Sequence, residues 1–363
     1  MGVKGLIQYV KKLNSNVVRT LRLHDLRGMK LACDALQYLY KYKSVEKYSA
    51  SKNHGGYVKH YLEYFINLIK CLVKHDIDVT FVFDGKAPSE KDKTRLKRKT
   101  QKENIISKAV DYKSMIEELG KKSPDIDYVM DLMEKVEKKR PANELEIPPV
   151  TDLNIKYQSL IRQVTEIKPV DIKNVKTLLQ CLGIPYLTAD GEGEKLCAQM
   201  AIDGDVNACL TSDSDVLAYG CPFYITDVNS AEETCSEIEL DDVINILKFD
   251  GLTQLRDFCI LCGTDYNDNI PKMGPVTSHK LLLECKDIDG MVNKLGESKF
   301  VDLNYKTVRN LFDLENSKQK VTPERIRSSE PDRDAFNKFM RSLNIRISTD
   351  YVDELFEKLD ARS

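Results

Sequence analysis

The chain is predicted to be an α/β protein built on a mostly parallel central sheet flanked by helices, and three observations predict it. Short apolar runs alternate with stretches of helical spacing, the rhythm of a parallel sheet with crossover helices. Two of those runs, Met29-Lys30-Leu31-Ala32-Cys33 and Val79-Thr80-Phe81-Val82-Phe83, read as buried strands and close on Asp34 and Asp84. A third, Val206 to Leu210, ends at the Thr211-Ser212-Asp213 turn, so three acidic residues fall at predicted strand ends, where such sheets gather their ligands. The apolar fraction of 42% in 363 residues is enough for a sizeable core.

Each element can be justified in chain order. After the first strand, Tyr57 to Lys74 has helical spacing, with Tyr61, Leu62, Phe65, Leu68, Ile69 and Leu72 on or near one face. The second strand ends at Asp84-Gly85. Residues 86–165 then break the rhythm: they are highly charged, carry several helical stretches, and include a proline-containing connector from Arg140-Pro141 to Pro148-Pro149. This reads as an insertion standing off the sheet. Lys173 to Leu182 is predicted helical, Gly183 to Leu187 leads into a strand, and Glu192 to Ile202 is a helix opening on acidic residues, which its dipole tolerates. After Leu240 the chain is mostly helical. The expected partition is 1–85 and 166–250 as two parts of one catalytic core, 86–165 as the insertion, and 251–363 as a helical region.

Charge and cysteine usage narrow the class. Charged residues make up 31%, but their signs nearly cancel to a net charge of −2, so local segregation of sign carries the information. The ten cysteines form no paired framework, which suits a reducing compartment. The one CxxC, Cys259-Ile260-Leu261-Cys262, lies in an apolar helical stretch and reads as core packing. No secretory signal and no membrane-spanning run is found, so a soluble intracellular protein is expected.

Seven carboxylates in five short motifs are the most informative feature. They are Asp34, Asp84, Glu192 and Glu194 in Gly191-Glu192-Gly193-Glu194, Asp213 and Asp215 in Thr211-Ser212-Asp213-Ser214-Asp215, and Asp265 in Gly263-Thr264-Asp265-Tyr266. Alone, an Asp after a strand is usually a helix cap or turn residue. Together they pose an electrostatic problem, because two carboxylates about 4 Å apart repel by about 4 kcal/mol at an effective dielectric near 20. Protonation, basic partners or bound cations must answer it, and an oxygen-only donor set favours Mg²⁺ or Mn²⁺ over zinc. Seven carboxylates exceed what one Mg²⁺ needs. Two ions roughly 4 Å apart suit in-line displacement at phosphorus.

Two further signals point to nucleic acid. The run Lys91 to Lys102 has seven basic residues and one acidic, beginning a few residues after Asp84. A solvated helix face is the plain reading, but carboxylates alone would repel a phosphate backbone, and cations beside them would draw it in. Gly263-Thr264-Asp265-Tyr266 is followed by Ile270-Pro271-Lys272-Met273-Gly274-Pro275 and a helical stretch. Glycine before a helix start exposes backbone N–H groups that can hold a phosphate without reading sequence. Tyr38 and Tyr40 follow Asp34, and one of them near a site could stack on an unpaired base.

Taken together, these motifs resemble the flap endonuclease family, which includes the XPG-type structure-specific nucleases. The resemblance runs in order from Met1-Gly2-Val3-Lys4-Gly5-Leu6 through Phe83-Asp84-Gly85-Lys86 and the internal acidic motifs to Gly274-Pro275. It implies a PIN-like 5′-nuclease core, a helical arch over residues 86–165, and a helix–two-turn–helix module. It implies a Mg²⁺-dependent enzyme, with Mn²⁺ able to substitute, that cleaves 5′ flaps and branched DNA and trims 5′ ends. On that pattern Asp34, Asp84, Glu192 and Glu194 serve mainly one ion, and Asp213, Asp215 and Asp265 the other, with Glu194 bridging. Lys91 and Arg98 match the family's basic pair at the scissile phosphate, Tyr40 a stacking tyrosine, and Gly2 a residue near the site. The segment at Gly274 matches the duplex-holding turn with its K⁺. Departures are Gly193 where the family has Ala, which loosens a helix start, Lys272 where it has a hairpin glycine, and a longer stretch between Asp84 and Glu192. The C-terminus lacks the paired-aromatic sliding-clamp box. That compact form resembles the poxvirus branch, which implies DNA replication, recombination and repair in the host cytoplasm. The rival readings are a catalytically silent scaffold that binds DNA junctions and a PIN-like RNA nuclease.

Overall fold

The computed structural model describes residues 2–50, 60–86, 88–137, 146–315 and 318–361. Two compact units divide the chain: 1–39, 62–94 and 169–363 form the first, and 40–61 with 95–168 form the second.

The first unit carries a seven-stranded sheet. Its strands are β1 (Arg19–Arg22), β2 (Lys30–Asp34), β3 (Asp78–Phe83), β4 (Tyr186–Thr188), β5 (Ala208–Leu210), β6 (Phe223–Asn229) and β7 (Thr234–Glu239), in the spatial order β1-β7-β6-β5-β2-β3-β4. The run β6-β5-β2-β3-β4 is parallel, with Leu31 paired to Ala208 on one side and Val79 on the other, while β7 pairs antiparallel with both β6 and β1. Chain order reverses between β5 and β2, and at such a reversal the flanking loops part to leave a crevice at the carboxyl ends of the strands.

Residue type explains why the parallel strands were legible. Leu31, Ala32 and Cys33 of β2 have no solvent exposure at all, because a central parallel strand is covered on both faces and reads as a continuous apolar run. The strands β1, β6 and β7 escape that pattern. They are predominantly antiparallel, and in β1 and β7 covered and exposed positions largely alternate, so their polar residues break the apolar run. The strands expected at 183–187 and 206–210 are shorter than their apolar runs, and the start of the helix expected from Tyr57 lies outside the described residues.

Helices of the first unit, or beginning in it, are α1 (Leu6–Leu13), α2 (Ala35–Ala50), α3 (His60–Lys74), α7 (Pro169–Cys181), α8 (Gly193–Asp203), α9 (Asp215–Tyr219), α10 (Leu240–Leu247), α11 (Leu252–Cys262), α12 (Pro275–Cys285), α13 (Ile288–Leu295), α14 (Tyr305–Phe312), α15 (Arg333–Ser342) and α16 (Thr349–Asp360). Helix α8 lies against β2, β3 and β5. One apolar core joins Ala32, Val82, Leu196, Cys197, Val216 and Phe258. Cys259 and Cys262 sit in it as packing residues, 0% and 2% exposed. Asp257, also without exposure, accepts from Arg309 Nε at 2.6 Å and from the Ile288 N–H at 2.9 Å, tying α11 to α14 and to the start of α13.

The second unit holds α4 (Asp92–Leu119, from Arg95 on), α5 (Ile126–Val136) and α6 (Val150–Gln163). It has its own small core of Tyr112, Met115, Val129, Met133, Val136 and Leu153. It takes in residues 40–61 as well as the insertion. Ser44 Oγ donates to Thr165 Oγ1 at 3.0 Å and Tyr40 Oη to the Gln163 carbonyl at 3.4 Å, which binds the later part of α2 to the end of α6. No helix among the described residues is long and apolar enough to cross a membrane.

Candidate active site

The carboxyl ends of β2, β3 and β5 deliver three acidic residues to one edge of the sheet. Asp34 is the last residue of β2 and is 7% exposed. Its Oδ1 accepts the Gln37 N–H at 3.1 Å, so it also caps α2, and Gln37 Oε1 in turn accepts Thr211 Oγ1 at 2.7 Å and the Ser212 N–H at 2.8 Å. Asp84 follows β3, is exposed, and accepts the Gly193 N–H at 2.8 Å. A Cβ on Gly193 would stand 2.8 Å from that same Asp84 oxygen. Glycine here permits a close approach of the α8 start to Asp84, a more specific role than the loosened helix start expected from sequence.

Glu192 and Glu194 flank Gly193 at the start of α8, both buried. Asp213 lies in the turn after β5 and accepts the Asp215 N–H at 3.0 Å. Both oxygens of Asp215 are buried without a hydrogen-bond partner among the described residues, a costly condition for a carboxylate. Asp265 follows α11. Gly2 adopts a left-handed φ of 87°, and a Cβ there would collide with Asp213 Oδ1 and Ser214, so the N-terminal segment lies directly on the acidic edge.

Lys91 answers part of the charge. It is 8% exposed, and its ammonium pairs with Glu192 Oε1, with Glu194 Oε1 at 3.2 Å and with Asp265 Oδ2 at 3.4 Å. Sequence reasoning assigned Lys91 to a phosphate; here it stands among carboxylates. Burial pulls its pKa down, but Glu194, Glu192 and Asp265 outweigh that and hold it above the usual lysine value. In this conformation no three acidic, histidine or cysteine side chains among the described residues close around one point at metal-ligand spacing.

Burial, followed by neighbouring charge, pushes Asp34, Glu192, Asp213 and Asp215 upward. Glu192 rises to about 7, through burial and then Glu194, against the opposing Lys91 and Tyr266. Asp213 rises to about 6 through burial and Glu194. Asp34 goes up through burial, then Glu194 and Asp84, and Asp215 through burial, then Asp213, Asp265 and Glu194. These mutual influences link the seven acidic residues into one electrostatic cluster. Glu194 acts on both the Asp34–Asp84 side and the Asp213–Asp215 side. An all-oxygen cluster with two unpartnered buried oxygens has the donor chemistry of a hard divalent cation.

The remaining predicted residues are Gly274, Tyr40 and Arg98. Gly274 caps the start of α12, with open space where a side chain would be. Lys272, in the preceding turn, has a φ of 66°, the left-handed region. Tyr40 and Arg98 are exposed and belong to the second unit. Sequence reasoning missed the roles of Gln37, Thr211, Tyr219 and Tyr266, of which Thr211 and Tyr266 carried a signal, their places in the Asp213 and Asp265 motifs.

Residues 1–105 match the XPG N-terminal domain and residues 183–265 the XPG I-region. A probable RAD2-like endonuclease of Invertebrate iridescent virus 6 is 30% identical over 397 residues, covering 100% of this chain and 93% of that protein. Flap endonuclease 1 of Meyerozyma guilliermondii is 29% identical over 307 residues, covering 82% of this chain and 71% of that one. Among solved structures, the catalytic core of Rad2 in complex with DNA substrate superposes with a TM-score of 0.65 at 20% identity, covering 99% of this chain and 100% of that chain. This last likeness is one of fold.

Proposed function

The chain belongs to the XPG and flap endonuclease family, and from that premise we propose that it is a Mg²⁺-dependent nuclease hydrolysing phosphodiester bonds at 5′ flaps and branched DNA. As a family member it is a structure-specific DNA nuclease. The observation that carries the finer reading is the convergence of acidic motifs far apart in sequence on the carboxyl ends of β2, β3 and β5, with Asp215 buried and unpartnered.

On this reading Asp34, Asp84, Glu192 and Glu194 would hold one divalent cation, and Asp213, Asp215 and Asp265 the other. Glu194, whose charge acts on acidic residues of both groups, would be shared by the two ions. Two such ions would supply Lewis-acid stabilisation of the attacking and leaving oxygens of an in-line displacement. The protein's own groups do the rest. Gly193 and Gln37 fix Asp84 and Asp34 through backbone N–H groups, which sets carboxylate orientation without adding charge. Lys91, whose ammonium stands among Glu192, Glu194 and Asp265, would offset charge developing on a phosphate held beside them. The first turn of α12 after Gly274, where Val276 and Thr277 are exposed, would offer N–H groups to a duplex backbone, and K⁺ is the monovalent ion proposed beside it.

The setting proposed for this activity is viral DNA replication, recombination and repair, and the iridescent-virus relative supports the viral part of it. The test is cleavage of an end-labelled 5′-flap DNA. Asp84→Asn and Asp213→Asn should abolish cutting while leaving flap binding, followed by fluorescence anisotropy, largely intact. Unchanged cutting in both variants would end the proposal. A matched RNA flap, cut as fast as the DNA, would favour an RNA nuclease instead.

A further inference from the structure

Tyr266 touches two of the charged groups just described. Its hydroxyl donates to Glu192 Oε2, while Glu192 Oε1 faces the Lys91 ammonium. Its ring centroid is 5.1 Å from Lys91 Nζ, within cation–π reach. Behind it, the Tyr219 and Tyr266 hydroxyls lie 2.7 Å apart. An ionised carboxylate only accepts hydrogen bonds. With Glu192 ionised, as it must be to ligate a cation, the single Tyr266 hydroxyl proton is committed to Glu192, and Tyr219 must donate to Tyr266. The chain of donation runs one way, from Tyr219 to Tyr266 to Glu192.

Packing holds this chain still. Phe312 of α14 meets the Tyr219 ring edge-on at 5.0 Å and 68°, and the Tyr266 ring at 5.5 Å and 80°. Phe312 and Tyr219 are 0% and 1% exposed, so neither ring has room to turn. A hydroxyl so fixed determines which Glu192 oxygen remains available, since Oε2 is held by the tyrosine while Oε1 faces the Lys91 ammonium.

We propose that Tyr266, backed by Tyr219, is a positioning residue for divalent-cation binding: it holds Glu192 Oε2 and leaves Oε1 as the ligand oxygen. Lys91 keeps that same oxygen in the absence of the ion. The inference rests on the reading that the acidic cluster binds divalent cations, and it extends the working site to two tyrosines and the helix α14 that braces them. Partners that orient a metal ligand from outside typically change affinity by about 10–100-fold.

The test is calorimetric titration of Mg²⁺ into the full, DNA-free chain and its variants. Tyr266→Phe keeps the ring and removes the hydroxyl, and should weaken Mg²⁺ by about 10–100-fold. Tyr219→Phe should weaken it less. The double variant should equal Tyr266→Phe alone, because Tyr219 acts only through the hydroxyl already removed. Flap cleavage should then need correspondingly more Mg²⁺ and recover toward the wild-type rate at saturation. Equal Mg²⁺ affinity in wild type and Tyr266→Phe, or losses that simply add in the double variant, would overturn the inference. Should Tyr266→Phe fail to fold, unchanged affinity in Tyr219→Phe alone would overturn it. A wild-type chain that binds no Mg²⁺ at all would instead remove the metal reading beneath it.

Discussion

Replacing Lys91 by methionine separates the two roles assigned to that side chain. Lys91 is 8% exposed, and its ammonium serves Glu192, Glu194 and Asp265 together. Methionine fills nearly the same volume, so packing is kept and charge is lost. Breaking a buried ion pair by removing one partner costs about 3–5 kcal/mol, because the remaining charge is left uncompensated. Glu192, whose carboxyl is already pushed up to about 7, can take up a proton and relieve part of that cost. The loss in EDTA at neutral pH should therefore fall near the lower figure, about 3 kcal/mol. Mg²⁺ should reverse it, since a ligand at one hundred times its Kd stabilises by about 2.7 kcal/mol. Wild type should gain less from Mg²⁺, because the ion must first displace the ammonium. The assay is guanidinium unfolding followed by circular dichroism, with EDTA and with Mg²⁺. Flap cleavage at saturating Mg²⁺ should meanwhile fall by about 10²–10³, the usual loss when a charge-stabilising group is removed from the reacting centre. Unchanged stability in EDTA, or equal gains from Mg²⁺ in both proteins, would refute the reasoning.

Three other outcomes are expected from the same geometry. Lys272 holds a left-handed φ of 66° that costs an L-residue about 1–2 kcal/mol, offset in part by the extra chain entropy of glycine, so Lys272→Gly should raise stability by about 0.5–1 kcal/mol in urea unfolding. A loss would show that the lysine side chain holds the turn. Arg309→Ala leaves Asp257 buried without its guanidinium partner and should cost about 3–5 kcal/mol, read as a fall in the denaturation midpoint. Acidity acts through Glu192 and Asp213, at about 7 and about 6, raised by burial and then Glu194. Their neutral forms are favoured in the folded, metal-free state. That contribution is fully present below the ordinary carboxylate values and is lost as pH rises through the folded ones. Between the ordinary 4.5 of a glutamate and about 7, metal-free wild type should therefore lose stability relative to Glu192→Gln, measured as a Tm difference. Parallel Tm profiles would contradict this.

The parts legible from sequence were those set by short-range pattern. Asp34, Asp84 and Asp213 could be placed because strands buried on both faces are continuous apolar runs, and the residues just past their carboxyl ends lie at the ligand-binding edge. The strands β1, β6 and β7 could not, since covered and exposed positions largely alternate in β1 and β7, polar residues interrupt β6, and β1 finds its partner β7 far along the chain. The second unit's claim on residues 40–61 rests on bonds such as Ser44 to Thr165, which no local spacing announces. At the site itself, a basic run after Asp84 was visible, but not that Lys91 would turn onto Glu192, Glu194 and Asp265. Nor could spacing tell that Tyr266 reaches Glu192 across 74 positions, or that Gly193 makes room for Asp84.

The central claim is that scattered carboxylates meet to hold doubly charged cations. Anomalous diffraction from crystals grown with Mn²⁺ examines it directly. The account predicts two peaks roughly 4 Å apart, one beside Asp34, Asp84 and Glu192 and one beside Asp213, Asp215 and Asp265, with Glu194 touching both. A map with Lys91 still bound to the glutamates and no peak among the seven side chains would contradict it.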